Sequence, residues 1–196
     1  MVKENKELMK QARESLSGKW GLAIGTFLFY MLIIGAVQIV PVAGPIASLI
    51  IAGPMALGIA IFTLTLARKQ DARLEQIFEG FQNFGTALGA YVLMVIFVFL
   101  WMLLLIIPGI IAAIAYSQVF YILAENNSIG PMDALRKSEE MMYGYKWKYF
   151  CLGLRFIGWA LLCVLTLGIG FLWLAPYAQV SYAHFYEDIK DNKIYK

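Results

Sequence analysis

The sequence predicts an all-α, polytopic membrane protein: six transmembrane helices in three hairpins, with amphipathic interfacial helices on the cytoplasmic side. Hydrophobic residues make up 61% of the 196 residues and charged residues only 15%, whereas charged residues are about 25% of a typical soluble domain. Three long stretches, 20–67, 84–124 and 156–186, contain no Asp, Glu, Lys or Arg. Each also has a helix-breaking motif near its middle. This composition is unlike that of a disordered chain, and it leaves a soluble domain of this size too little polar surface.

The charge-free stretches are too long for one crossing each, because a helix needs about 20 residues to cross a ~30 Å hydrocarbon core. The third is the shortest, but it continues backwards to Tyr149 with only Arg155 interrupting it. Turns are expected at the breakers, where proline lacks an amide and glycine favours non-helical backbone. These breakers are Pro41, Pro45, Pro108, Gly109, Gly168 and Gly170.

The turns divide the chain into six predicted spans, 20–40, 46–67, 86–107, 110–125, 149–167 and 171–187. Residues 1–196 then form a single membrane domain of three hairpin units, approximately 1–67, 68–125 and 126–196. A proline lies in each returning half, and we expect these helices to break or begin near Pro54, Pro108 and Pro176.

The charged residues outside the spans predict the orientation. All thirteen carboxylates and fifteen of the sixteen basic residues lie in four segments: the N-terminus, 68–83, 125–148 and the C-terminal tail. With six crossings these segments share one side of the membrane, which the positive-inside bias makes cytoplasmic. Both termini are therefore predicted to be cytoplasmic, and the far face consists of three short uncharged turns.

The hairpin units resemble one another. Trp20-Gly-Leu-Ala-Ile-Gly25 and Phe84-Gly-Thr-Ala-Leu-Gly89 open the first two hairpins, 64 residues apart. Their Gly-x-x-x-Gly pairs, Gly21 with Gly25 and Gly85 with Gly89, predict close helix packing. Chance is the alternative in a chain with 17 glycines.

A short amphipathic segment precedes each hairpin, as expected for a helix lying flat at the headgroups with its apolar side down. The apolar residues that share a face are Leu8, Ala12 and Leu16 in the first segment, Leu74, Ile77, Phe78 and Phe81 in the second, and Met132, Leu135 and Met142 in the third. Either the chain contains a true threefold repeat, or any hairpin protein needs a basic, amphipathic connector.

Several strings resemble one bacterial family. They include Leu103-Leu-Leu-Ile-Ile-Pro-Gly-Ile-Ile111, Ala134-Leu-Arg-Lys-Ser138, Thr166-Leu-Gly-Ile-Gly170 and Phe185-Tyr-Glu-Asp188. Together they resemble the uncharacterised integral membrane proteins of domain-of-unknown-function family 975, over nearly the whole chain and most densely after Gly80. The resemblance implies a bacterial plasma-membrane location. It implies no activity, ligand or catalytic residue.

Few residues are candidates for a functional site. Arg155 is the one charge inside a predicted span, where ionisable groups are costly. We expect it to snorkel towards Glu187 or Asp188, with a role in binding a ligand or a lipid phosphate as the alternative. His184, the only histidine, is expected to be an interfacial polar residue, with a proton-linked switch as the alternative. Tyr116, Ser117 and Tyr121 are expected to form hydrogen bonds between helices or to line a polar seam.

These observations predict a non-enzymatic accessory or scaffold protein that acts through its cytoplasmic face, because no catalytic motif or intramembrane carboxylate is present. A small transporter or channel is the first alternative, and protection against a membrane-active peptide is the second. We expect no cofactor or metal. The expected partners are membrane lipids, another membrane protein or a second copy, and not nucleic acid, because the basic residues are interleaved with acid.

Overall fold

A computed structural model describes residues 2–39, 41 and 43–191, and these residues contain helices and turns but no strand. Nine α-helices and one 3-10 helix are present in this part of the chain. They are α1 (Asn5–Leu16), α2 (Trp20–Gln38), α3 (Ala43–Ala67), the 3-10 helix (Leu74–Asn83), α4 (Phe84–Leu104), α5 (Ile106–Ala115), α6 (Val119–Glu125), α7 (Pro131–Met141), α8 (Lys146–Leu165) and α9 (Phe171–Asp191).

Among the described residues, five helical stretches are long and apolar enough to cross a membrane: Trp20–Gln38, Gly44–Ala67, Leu74–Leu104, Ile106–Glu125 and Lys146–Leu165. They cover the first five predicted spans. The sixth predicted span corresponds to α9, which is long enough but carries polar and charged residues through its second half, from Gln179 to Asp191.

The helices divide into an inner and an outer set. The inner helices are α3, α6 and α9, and α3 contacts both α6 and α9. The rings of Tyr121 and Tyr186 stack at 5.4 Å between centroids and join α6 to α9. The outer helices are α2, α4 and α8, whose large apolar side chains are mostly exposed, as at Leu100 and Leu165.

Each amphipathic segment packs on an inner helix. The 3-10 helix contacts α3, α7 contacts α6 and α4, and α1 contacts α9. The α1 face of Leu8, Ala12 and Leu16 is completely buried in these contacts. The expectation that this face points towards lipid is therefore wrong, because α9 already covers it.

The second amphipathic segment is a 3-10 helix, and this changes which side chains share a face. With three residues per turn, positions i and i+3 eclipse. Ile77 and Gly80 therefore lie together in the contact with α3, while Phe78, Phe81 and Phe84 form an exposed row of ring contacts. The apolar face expected from an α-helical period is split in two.

The breakers lie at or beside the turns. Pro41 follows α2, and Pro45 and Pro108 lie in the first turns of α3 and α5, where a missing amide costs no helical hydrogen bond. Gly168 has a φ of +87° in the turn before α9. A helix begins near Pro108 as predicted, whereas Pro54 and Pro176 lie inside continuous helices.

Consecutive helices approach closely at all three of these turns. A methyl group on Gly44 would lie 2.7 Å from the Val37 carbonyl oxygen, and one on Gly170 would lie 2.6 Å from the Cys163 sulfur. A methyl group on Gly109 would overlap the Met102 side chain. Only a glycine allows these approaches.

Candidate functional site

The predicted fourth span is interrupted at Tyr116–Gln118, between α5 and α6. The Ser138 hydroxyl of α7 donates a hydrogen bond to the Ala115 backbone carbonyl at 2.7 Å and accepts one from the Gln118 backbone N–H at 3.2 Å. This side chain thus replaces helical hydrogen bonds at the break, a recognised cause of kinks. Ser138 and Gln118 are both completely buried.

A cavity of about 560 Å³ lies beside this break, between α4 and α8. This volume is within the range of small-molecule sites. Its wall on α4 is apolar, and Val95, Phe99 and Met102 of that wall are partly exposed on the outside of the bundle. Its other walls carry the polar groups. The full lining is Met94, Val95, Val98, Phe99, Met102, Ala113, Tyr116, Ser117, Phe120, Tyr121, Tyr149, Gln179 and Tyr182.

A second cavity of about 230 Å³ lies on the α2 and α3 side of the same residues. Ser117, Phe120, Tyr121 and Gln179 line both cavities. The Gln179 amide therefore lies at the partition between them. The Gln179 side chain has no hydrogen bond to any residue of the described part of the chain. The backbone carbonyl of Gln179 accepts a hydrogen bond from the Tyr121 hydroxyl at 3.4 Å.

The ends of the three inner helices meet in a charged cluster, formed by Arg68 after α3, Glu125 of α6, and Tyr186, Glu187 and Lys190 of α9. Arg68 pairs with Glu125 and with Glu187, the latter at 2.7 Å. Lys190 pairs with Glu125 at 2.7 Å and with Glu187 at 3.1 Å. The Tyr186 hydroxyl donates to Glu125 at 2.7 Å.

The two cations of the charged cluster are held in their protonated form. Partial burial alone would lower the pKa of Arg68 and of Lys190, but hydrogen bonds and charges from Glu187 and Glu125 outweigh it. The pKa of each cation is consequently raised. The ion pairs of the charged cluster thus connect the ends of α3, α6 and α9 and stabilise their packing.

A second ionic contact fixes the N-terminal segment. The Asp188 carboxylate is buried, pairs with Lys148 at 2.9 Å and accepts the Lys3 backbone amide at 3.0 Å. Asn5 donates to the Lys148 carbonyl at 3.0 Å. The start of the chain, the start of α8 and the end of α9 are therefore joined at the same end of the bundle as the charged cluster.

The expected pairing of Arg155 is wrong. Its side chain is exposed on α8, and no ion pair between the described residues includes it. Glu187 is taken by Arg68 and Lys190, and Asp188 by Lys148. Lys148 precedes Arg155 by about two turns, some 10 Å along the helix, so it lies much closer to the carboxylates.

The other predicted polar residues have mixed positions. His184 is half buried, and its Nε2 lies 3.0 Å from the Ser15 hydroxyl, so it joins α9 to α1. Tyr116 and Ser117 line the large cavity, and Ser117 donates to the Ile114 carbonyl at 2.8 Å. The sequence analysis missed Gln179, Ser138 and Arg68; the residue types of these three carry no spacing pattern that would single them out.

Three of the four Gly-x-x-x-Gly positions make no close contact with the described residues. A methyl group on Gly21, Gly25 or Gly85 would meet no atom of this part of the chain within 4 Å outside its own helix. At Gly89 it would lie 3.1 Å from the Pro131 ring. The close backbone contacts are instead at Gly53, where α3 meets Ala87 of α4, and at Gly58 and Gly80, where α3 meets the 3-10 helix.

Comparison with known proteins places the chain in a family but gives no function. A family model described as protein of unknown function (DUF975) matches residues 1–114 and 102–193. No curated protein matches the chain, and no solved structure matches it.

Proposed function

The chain belongs to the DUF975 family of proteins of unknown function, and we propose that it is a non-enzymatic accessory protein of the bacterial plasma membrane. In this proposal it crosses the membrane six times, as three hairpins. Both termini and the charged cluster are cytoplasmic, and the protein organises lipid or a membrane partner around its apolar perimeter.

The observation that carries the proposal is the convergence of the polar segments. Lys3, Arg68, Glu125, Lys148 and Glu187 come from all four charged segments, and their contacts join them at one end of the bundle. An even number of crossings brings these segments to one side, and the positive-inside bias favours the cytoplasm. The remainder of the perimeter exposes large apolar side chains from α2, α4 and α8, which suits contact with lipid.

The arrangement supports a non-enzymatic role. The inner helices meet through packed apolar and aromatic side chains such as Leu57, Ile122 and Tyr186. All carboxylates belong to the polar segments, so no carboxylate is available at mid-span to act as an acid or base. The charged cluster, where carboxylates do meet, is fully occupied by its own ion pairs.

One observation favours the alternative of a small transporter. The Gln118 side-chain oxygen is buried beside the helix break and has no partner among the described residues, and broken helices commonly form transport sites. A transporter of this kind would need to separate α6 from α9, which Glu125 joins through Lys190 and Tyr186. The charged cluster opposes that separation.

Two measurements test the proposal together. Single cysteines in a background without Cys151 and Cys163 should react with an impermeant reagent from the cytoplasmic side at residues 127 and 70, and from the outside at residue 168. Labelling at residue 127 from outside would overturn the six-span arrangement. Purification from native membranes, followed by mass spectrometry, should recover lipid or a membrane protein in fixed proportion. Substrate flux into vesicles without such a partner would favour the transporter.

A further inference from the structure

We infer that the cavity beside the helix break binds a neutral lipid, a molecule with hydrocarbon chains and an uncharged head bearing hydroxyl or ester groups, such as a diacylglycerol. The inference rests on the proposed function in one respect only, that the protein lies in a bilayer. It adds a specific site and a ligand class to that proposal.

The first argument is the polarity of the lining. The wall on α4 is apolar and includes Val98, Phe99 and Met102, whereas Ser117, Tyr121 and Gln179 lie on the inner wall. An amphiphile with its chains on α4 and its head towards α9 matches both walls. A purely apolar occupant would leave the Gln179 amide without a hydrogen bond, which is costly in a dry environment.

The second argument is charge. No Asp, Glu, Lys, Arg or His of the described residues lines the cavity, so a phosphate or a choline head would be buried there without a compensating charge from them. The Gln179 amide offers two donors and an acceptor. That combination recognises a hydroxyl or a carbonyl group, which are the polar groups of a neutral lipid.

The third argument is access. The α4 wall is partly exposed, with Val95, Phe99 and Met102 about 40–60% accessible. Because outer helix α4 faces the perimeter, a ligand can enter sideways from the bilayer. The volume of about 560 Å³ accommodates the head and part of the chains, whose remaining length would stay in lipid.

The test uses the full-length protein in phosphatidylcholine vesicles that contain a photoactivatable diacylglycerol. Adducts should map to α4 residues 94–102 and to residues 113–121. Unlabelled diacylglycerol should compete for this labelling, and the same amount of phosphatidylglycerol should not. Equal competition by phosphatidylglycerol would overturn the neutral ligand class. Adducts spread over α2 and over the part of α8 beyond Tyr149, which lines the cavity, would show perimeter lipid only and would overturn the site.

Two variants locate the ligand. Val98→Trp fills the cavity and should lower the adduct yield about tenfold or more, because a filled site has no room for the chain. Ile96→Trp, the matched control on the same helix, lies outside the lining and should change the yield by less than about twofold. An unchanged yield in Val98→Trp overturns the proposal.

Gln179→Leu tests the head. It should lower the diacylglycerol adduct about three- to tenfold, the scale of one lost neutral hydrogen bond, while a photoactive hydrocarbon without a head should still label the cavity. If this variant does not fold, the Val98→Trp pair decides. The result is independent of topology: a six-span protein with no adduct refutes the site alone, and a failed topology test refutes the proposed function alone.

Discussion

Helices α2 and α3 are both long and apolar enough to cross a membrane, yet they have opposite positions in the molecule. Of the residues in the apolar window of α3, 61% are buried inside the protein, against 17% for α2. Both helices also carry pairs of small residues, Gly53 and Gly58 in α3, Gly21 and Gly25 in α2. Apolarity therefore allows a helix to enter the membrane but does not decide whether it lies inside the bundle or on its perimeter.

The backbone contacts of the glycines account for the difference. A methyl group on Gly53 would lie 2.5 Å from the Ala87 carbonyl oxygen, and one on Gly58 would overlap the Ile77 carbonyl. The same group on Gly21 or Gly25 would meet no atom of residues 2–39, 41 and 43–191 within 4 Å outside its helix. A small residue lets helices approach only where a second backbone is present to use the space.

The largest expected difference in stability is between two variants that each add one methyl group, one in α3 and one in α2. Gly58→Ala should lower the free energy of unfolding by about 3 kcal/mol, the upper part of the range for overpacking, because the obstructing atoms are backbone and cannot rotate away. Gly21→Ala, the matched control, should be neutral or stabilising by up to about 1 kcal/mol, since alanine favours the helix. Thermal unfolding of both variants in the same detergent measures the difference.

Equal stability of these two variants would show that α3 and the 3-10 helix are not in backbone contact. Gly80→Ala offers an independent check from the other side of the interface, where the added group would overlap the Pro54 carbonyl. The Gly80→Ala variant should lose the same free energy of unfolding as the Gly58→Ala variant.

The sequence predicted where the helices lie better than how they meet. The apolar runs and breakers placed α2, α3, α4, α8 and α9 within a few residues of their observed bounds. These runs record only whether a stretch is apolar. They contain nothing about the Ile77 carbonyl that Gly58 will meet, because that contact depends on the 3-10 conformation of the segment that contains Ile77.

The break between α5 and α6 tests the inner helices next. Ser138→Ala removes the hydroxyl that bonds the Ala115 carbonyl and the Gln118 amide, and leaves two buried backbone groups to find new partners. We expect a loss of about 2 kcal/mol in unfolding free energy, the cost of buried groups left without hydrogen bonds. Ser128→Ala, in the exposed loop before α7, is the matched control.

A more stable Ser138→Ala variant would mean that α5 and α6 rejoin as one continuous helix, and that the serine imposes the break at a cost. Hydrogen exchange at Gln118 and Val119 distinguishes the two outcomes, since protection there should rise only if the helix is restored.

The candidate site was only partly predictable, for a related reason. Tyr116, Ser117 and Tyr121 were recognised because polar residues are unusual in an apolar span. The break itself depends on Ser138, twenty residues away on a different helix, and no local pattern announces it. Likewise, Arg68 was visible as one basic residue of a polar segment, while its partners Glu125 and Glu187 belong to two distant helices.

Mutation of Asp188, which joins α9 to the N-terminal segment of the chain, should have a smaller effect on stability. Asp188→Asn should cost about 1–2 kcal/mol, because it removes a charge from hydrogen bonds with Lys148 and the Lys3 amide. Limited proteolysis should then cut more readily after the lysines of α1. Glu14→Gln is the control, since its pair with Lys10 is long, 4.0 Å, and exposed, and such pairs contribute about 0.5 kcal/mol or less. Equal proteolysis of both variants would refute the role of Asp188 as the anchor of the N-terminal segment.

Arg155 should show the smallest effect, and it completes the comparison because it is the one charge on the apolar part of an outer helix. Its side chain is exposed and no ion pair of the described residues holds it. In the proposed topology α8 starts at the cytoplasmic side, and Arg155 lies nine residues, about 13 Å, beyond Lys146. A guanidinium at this depth can reach the headgroups by snorkelling. At mid-span, by contrast, an arginine makes the free energy of insertion less favourable by about 2.5–3.5 kcal/mol. Arg155→Leu should therefore change the unfolding free energy by less than about 0.5 kcal/mol, as for other exposed positions, and should not impair insertion. If the variant remains abundant and equally heat-stable but no longer retains anionic lipid through purification, Arg155 binds a lipid phosphate. The perimeter of the protein would then recognise a lipid headgroup in addition to contacting the hydrocarbon chains.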